Sequence, residues 1–554
     1  MNLSHIKYFS LFALLINAAA MLSPVINGGD SITYAALSQH IALNNDWANL
    51  VLDGKDWLDK PHMPFWITAL SFELLGISAF SYILPGFLFH LIGGYYTYRI
   101  ARLFYSRDVA WLSLLVYVSV FHLMDSSIEV KAETYLTGFI MGACYYWLRY
   151  DAQTRIKYLL LGALFSACAV MIKGVFTLIT IFSGLVCMWL YRKQWHKLWS
   201  GKWLLAYALS LLFTAPEVIA LYLQFDAHPE KVVFGQTNVS GIKFFLWDSQ
   251  FGRFFNTGPI KNTNGHPFYF VLVFLWAFLP WVAVFIAAMF GGVRRFFARS
   301  VEERASFVFL CGAFFITFGL FSATSFQLDH YTVILFPFAA ILCGKFLHDW
   351  LAQQGKGRAL VVAQLLLTLL LVVLAIALSV YVRKPAVLTV VLAMFAALLG
   401  YGWVMRKQLR TGAVLVFPLF GIVMLYAFLV LTTALTFTGS SLAHNANKQL
   451  AGNKPDVPIY AFQLDIVARE LGLYNRSPNF AADDPAQLPQ AGDYFLLVRA
   501  EQLAGMRDRL GKVEQVGQGN WVVHKTGTFP RFLRLARGEE PLEEIRIVYV
   551  RAAQ

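Results

Sequence analysis

The sequence predicts an all-α polytopic membrane domain followed by a small external α/β domain, and three observations carry that expectation. Of 554 residues, 58% are hydrophobic and only 14% are charged, where soluble domains run near a quarter charged. Leu/Val/Phe-rich stretches long enough to cross a bilayer as helices recur from residue 8 to residue 436. From residue 437 onward the pattern changes to short strand-like and helix-like runs. With a mean hydropathy of +0.57, the chain is neither disordered nor an ordinary soluble enzyme. The period-2 alternation of a membrane β-barrel is absent.

The stretches, taken in order, cover 8–26, 64–83, 85–104, 109–124, 134–150, 157–172, 174–191, 202–224, 267–290, 306–321, 330–347, 358–382, 385–405 and 411–436. The first has no clear small-residue cleavage site after it and reads as a membrane helix. Basic residues decide which stretches cross, because Lys and Arg favour cytoplasmic loops. They cluster at Arg99/Arg102/Arg107, Arg149/Arg155/Lys157, Arg192/Lys193/Lys197, Arg294/Arg295/Arg299/Arg304, Lys345/Lys356/Arg358 and Arg406/Lys407/Arg410. With Lys7 inside, all six clusters fall inside only if 64–83 does not cross. That stretch is therefore expected as helical turns at the outer surface. About thirteen crossings remain, and the tail lies outside. Arg383 and Lys384 form the one external basic pair.

Residues 437–554 hold 14 Lys/Arg and 13 Asp/Glu, so nearly all of the +13 net charge belongs to the membrane part. That distribution fits positive-inside loops and not nucleic-acid binding. The five cysteines, at 144, 168, 187, 311 and 343, lie in or at the ends of apolar stretches with no metal spacing and no disulfide framework. The tail is expected to form strands at 457–462, 494–499 and 520–525, and helices near 464–474 and 500–510, after a polar linker at 439–456. No internal repeat of the transporter kind is visible.

The residues able to carry chemistry collect in the external segments 27–84, 124–133 and 225–266. Asp30 follows Gly28 and Gly29 directly after the first helix. It either caps a helix beginning at Ser31 or serves chemistry. Asp59 and Lys60 precede Pro61 in "WLDKPHMPFWI", as a salt bridge or as site groups. Lys131 and Glu133 stand at the outer start of a crossing, where the helix dipole alone favours an acid. Lys173 and Gly174 make a very short external turn, against the positive-inside trend. Arg253 and His266 are candidate phosphate or sugar ligands, and Asp329, His330 and Tyr331 sit at the outer end of the crossing at 330–347. Acids and bases at membrane depth are costly and usually functional.

In register, GGD, LDKP, KAE, IKG, QFGRF with a following HP, and FSATSFQLDHYTVILFP resemble the family 39/83 glycosyltransferases of the GT-C fold. This family includes protein O-mannosyltransferases and, closest in layout, bacterial aminoarabinose transferases acting on lipid A. The similarity covers residues 1 to about 345. It implies inverting transfer of a sugar from a polyprenyl-phosphate donor to a lipid or glycan acceptor outside the inner membrane. By motif, Asp30 and Glu133 take the catalytic acidic positions. Lys60, Lys131, Lys173 and Arg253 take the donor-phosphate positions. Asp59, Tyr34, His266, His330 and Tyr331 are candidate substrate-binding residues. Three positions depart from the family: Ser31 follows Asp30 where many members have a second acid, Glu133 replaces an Asp, and Gln327 replaces a Lys.

The chemistry suits these residues. Cations offset charge building on a leaving phosphate, and a carboxylate can deprotonate or orient an acceptor hydroxyl. No cofactor is implied beyond a divalent metal, for which the carboxylates of Asp59 and Glu133 are the candidate ligands. Further expected partners are membrane lipids and no nucleic acid, with a monomer favoured. The rival readings are a transporter or flippase of lipid-linked substrates, and a non-catalytic envelope assembly protein.

Overall fold

A computed structural model describes residues 3–23, 26, 29–262, 265–353, 357–450, 457–474, 479–507, 509–521 and 529–551. Helices dominate up to Ser440, and a five-stranded sheet follows. Among the described residues, eight helices are long and apolar enough to cross a membrane. Two further pairs pass that test together but are bent, Arg107–Val118 with Phe121–Glu129 by 59° and Tyr269–Ala277 with Val282–Arg294 by 113°.

The elements differ from the expected segments in three places. The stretch 64–83 is two elements. Met63–Leu75 is a helix of 13 residues; at 1.5 Å per residue it is roughly 20 Å long, short of the roughly 30 Å hydrocarbon core. It ends at Gly76, whose φ of 81° and N–H bond to the Phe72 carbonyl close the last turn. Ser78 then caps a new helix, Ala79–Phe104, which takes residues 79–83 and carries Pro85 within it.

The expected loop at 124–133 is instead mostly the helix Phe121–Glu129, which continues past the 59° bend. It stops at Val130, a β-branched residue held at φ 53°, a backbone state that costs on the order of 1–3 kcal/mol. The chain turns there into Ala132–Ala152. Gly86 lies against this turn, and a Cβ on it would come within 2.9 Å of the Ser127 carbonyl and Val130. The stretch 267–290 is also not one straight helix, since residues 278–281, including Pro280, separate its two parts.

Deep polar contacts tie distant spans together. Asn17 in the first helix donates to Ser127 and accepts from Tyr426, at 2.9 and 2.8 Å. In the tail, the sheet order is 479–482, 459–462, 494–499, 543–551, 512–521. The first three strands are parallel and the last two antiparallel to their neighbours. Apolar clusters cover both faces, which explains why Tyr494–Arg499 reads as a continuous apolar run. The strand expected at 520–525 is Lys512–Trp521, and 522–525 lie outside the described residues. The expected linker contains the helix Leu442–Leu450. Arg469 of the tail pairs with Asp53, in the loop after Gly29–Asn44, at 2.5 Å.

Candidate active site

The ends of several helices surround one cavity. Its lining includes Asp59, Lys60, Lys173, Gln250, Arg253 and Tyr331, with an apolar wall of Leu136, Phe176, Leu320, Phe321, Phe326 and Ile334. Three cations predicted from separate motifs thus meet in space.

Each cation arrives by a local device. Lys60 sits in the turn before Pro61, its ammonium 2.7 Å from the Asp59 carboxylate. Lys173 is the last residue of Ile156–Lys173, where Gly174 at φ 95° ends the helix. A side chain at 174 would overlap Gln250, whose amide donates to the Lys173 carbonyl at 3.3 Å. Arg253 lies on Ser249–Phe255; its guanidinium pairs with the Asp59 carboxylate and donates to the Asp59 carbonyl at 3.2 Å. The Lys173 ammonium lies 3.6 Å from the Tyr331 ring centre, within cation–π range.

Burial pushes the Asp59 carboxyl up, but Lys60 and Arg253 outweigh it and hold the group below its usual range. Burial and the Arg253 charge press the Lys60 ammonium below its usual range, against the pull of Asp59 and Asp30. The cavity lining therefore brings three cations together, with Asp59 shared by Lys60 and Arg253.

The other predicted residues divide. Glu133 is 2% exposed and bound by Lys173, with His330 Nε2 at 3.8 Å. His330 also pairs with Asp329 through Nδ1 at 3.2 Å. Tyr34 is buried among Asp30, Asp59 and Glu133; burial first and then these charges raise its phenol. Asp30 is exposed in the first turn of Gly29–Asn44. The helix begins at Gly29, so Asp30 is not the cap of a helix starting at Ser31, and Gly28 lies outside the described residues. Lys131 is turned to Glu129 at 3.0 Å and is not among the residues lining the cavity. His266 is exposed and away from the cavity; its amide donates to Gln327. Gln327 pins that loop and does not line the cavity.

Asp59 and Glu133 do not fit a metal site, because each is already neutralised by cations. Among the described residues no group of three or more His, Cys, Asp or Glu side chains is arranged to hold one. Sequence reasoning passed over Gln250, Phe326, His62 and Glu217. Glu217 carried a usable signal, an acid inside an apolar span.

Over residues 59–219 the chain matches the family model described as dolichyl-phosphate-mannose-protein mannosyltransferase. An undecaprenyl phosphate-alpha-4-amino-4-deoxy-L-arabinose arabinosyl transferase of Erwinia tasmaniensis is 24% identical over 385 residues, 68% of this chain and 65% of that protein. A protein of Pseudomonas aeruginosa with the same description is 25% identical over 403 residues, 69% of this chain and 67% of its own. The chain thus spans about two thirds of the length of these relatives. ArnT from Cupriavidus metallidurans, crystallised with undecaprenyl phosphate, has the same fold: TM-score 0.72 at 18% identity, covering 99% of this chain and 98% of that one. The GT-C fold and the resemblance read from the motifs are borne out.

Proposed function

We propose that this chain is an integral-membrane inverting glycosyltransferase that moves a sugar from a polyprenyl-phosphate donor to a lipid or glycan acceptor at the outer face of the bacterial inner membrane. The observation that carries the reading is the convergence of Lys60, Lys173 and Arg253 on one cavity with an apolar wall. Such a cavity suits a ligand that is a phosphate at one end and a hydrocarbon chain at the other. Charge-assisted contacts to phosphate are roughly twice as strong as neutral ones.

In the reaction, the bond between the anomeric carbon and the phosphate oxygen breaks, and the electron pair leaves with the phosphate. Lys60, Arg253 and Lys173 offset the charge that builds there. The acceptor oxygen bonds to the opposite face of the sugar, inverting the anomeric centre. Asp30 takes the proton of a hydroxyl acceptor; for an already ionised phosphate acceptor it orients only. Asp59 yields its cations as the donor phosphate enters.

The proposed orientation has the N-terminus in the cytoplasm, about thirteen crossings in residues 1–436, and residues 437–554 outside as a separate domain. It is supported by the six internal basic clusters. A C-terminal reporter active only in the cytoplasm would overturn it. The activity is tested with the purified chain, a polyprenyl-phosphate sugar and candidate envelope acceptors, reading product by mass spectrometry. Transfer with release of polyprenyl phosphate is expected. Movement of intact donor across vesicles without transfer would replace the enzyme reading with a flippase.

A further inference from the structure

Glu217 lies within the apolar span Gly201–Asp226 and is 0% exposed. An acid so placed is costly unless paired, and it is not part of the cavity. Both its oxygens serve one residue. Oε2 accepts from the His62 backbone N–H at 2.9 Å, and Oε1 lies 2.9 Å from the His62 ring Nδ1. The other ring nitrogen, Nε2, lies 3.1 Å from the Ala48 carbonyl oxygen. Both ring nitrogens face oxygens, so the ring is held from two sides.

Seven residues on, close to the same helix face, Gln224 holds the loop a second time. It is also fully buried. Its Oε1 accepts from the Leu50 N–H at 3.0 Å, and its Nε2 donates to the Leu50 carbonyl at 2.8 Å and to Asp56 at 2.9 Å. A polar face within a membrane helix is thus mated to the backbone of the first external loop.

We infer that Glu217 and Gln224 are positioning residues that hold the loop 48–62 so that Asp59 and Lys60 face the donor phosphate, an inference that rests on the proposed donor. The lever is short. His62 is fixed at three points, and Pro61, whose ring sets its own φ, joins it to Lys60. Asp59 is tied to the cavity on the other side through Arg253. A phosphate competes with Asp59 for Arg253 and Lys60, so that tie loosens as the donor binds while the Glu217 tie stays. The clamp therefore acts most strongly in the bound state.

The test uses the purified full chain in detergent, with sugar-free polyprenyl monophosphate as the probe and amide hydrogen exchange as a second readout. Glu217→Gln keeps one acceptor oxygen and the side-chain volume. It is expected to weaken probe binding about tenfold, the size of one lost charge-assisted hydrogen bond, and to speed exchange at the His62 amide. Gln224→Met should do the same to a smaller degree, with faster exchange at Leu50, and it serves if Glu217→Gln fails to fold. A lower Tm with unchanged probe affinity would overturn the positioning role. Unchanged exchange at His62 and Leu50 would overturn the clamp itself. Failure of the wild type to bind the probe, with exchange altered in the variants, would sink the donor reading and leave the clamp standing.

Discussion

Asp30 and Glu133 read alike in the sequence, as acids at the outer start of a helix, yet they sit in opposite surroundings. Glu133 is buried, bound to the Lys173 ammonium and flanked by His330. Asp30 is exposed, and no hydrogen bond or ion pair engages it among the described residues, although it is near enough to act on Lys60 and Tyr34. Protonating Glu133 would leave a buried ammonium unpaired, an outcome strongly resisted. Glu133 is thus a poor proton acceptor and a good brace for Lys173. In the proposed reaction the free acid serves the acceptor, while the paired acid braces Lys173.

Asp30→Asn gives the largest expected effect. Transfer should slow by at least about tenfold, a floor under the roughly 10²–10⁴ of a lost general base, while binding of polyprenyl phosphate holds. Wild-type turnover in this variant would break the comparison. Lys60→Ala should instead weaken donor binding by roughly 10–100-fold, the scale of a lost charged hydrogen bond, with normal expression; full activity would remove Lys60 from the site.

Glu133→Gln is expected to act on stability. Breaking a buried pair costs about 3–5 kcal/mol, read as lower yield and Tm, and adding Lys173→Met should recover the Tm but not the activity. A well-folded Glu133→Gln enzyme as slow as Asp30→Asn would make the two acids equivalent after all.

The smallest effect comes from a third acid that sharpens the contrast. Glu470 in the tail is buried with no cation paired to it among the described residues. Burial pushes it up to about 7, against hydrogen bonds from Ser441 and Tyr474. Because the folded state holds this proton more tightly, its contribution to stability is full below the unfolded value, about 4.3. It is lost as pH rises through about 7. His444, beside Tyr474 and held by burial below its usual range, works in the opposite direction as pH rises towards its ordinary value, about 6.5. The measurement is therefore the difference in Tm between Glu470→Gln and wild type at pH 4.5 and 7.5. The Gln variant should lose less on going up in pH.

Much of this architecture is legible in one sequence because the bilayer demands long apolar helices. The three cavity cations are legible through their motifs. The helix break at 76–78 was not, since Ile77 and Phe80 continue the apolar run across it. Val130 gave no warning either, because a β-branched residue rarely takes a left-handed backbone. In the tail two signals were present and passed over. Glu543–Arg551 places Ile545, Ile547 and Tyr549 at period two, and Leu442–Leu450 places Leu442, Ala443, Ala446 and Leu450 on one helical face. The pairing of His62 with Glu217 joins positions 155 apart, a separation that local pattern cannot reach.

Arg469 meets Asp53 across 416 residues, and Tyr426 meets Asn17 across 409. Synthesis proceeds at roughly 5–20 residues per second, so each early partner waits on the order of 20–80 s for its late one. During that interval Asn17 sits in an apolar helix without its Tyr426 partner, and the loop that carries Lys60 is made before the tail that braces it. The loop beside the cavity is therefore braced last. The cell has a period in which the cavity's helices are in the membrane while its first loop still lacks the Arg469 tie.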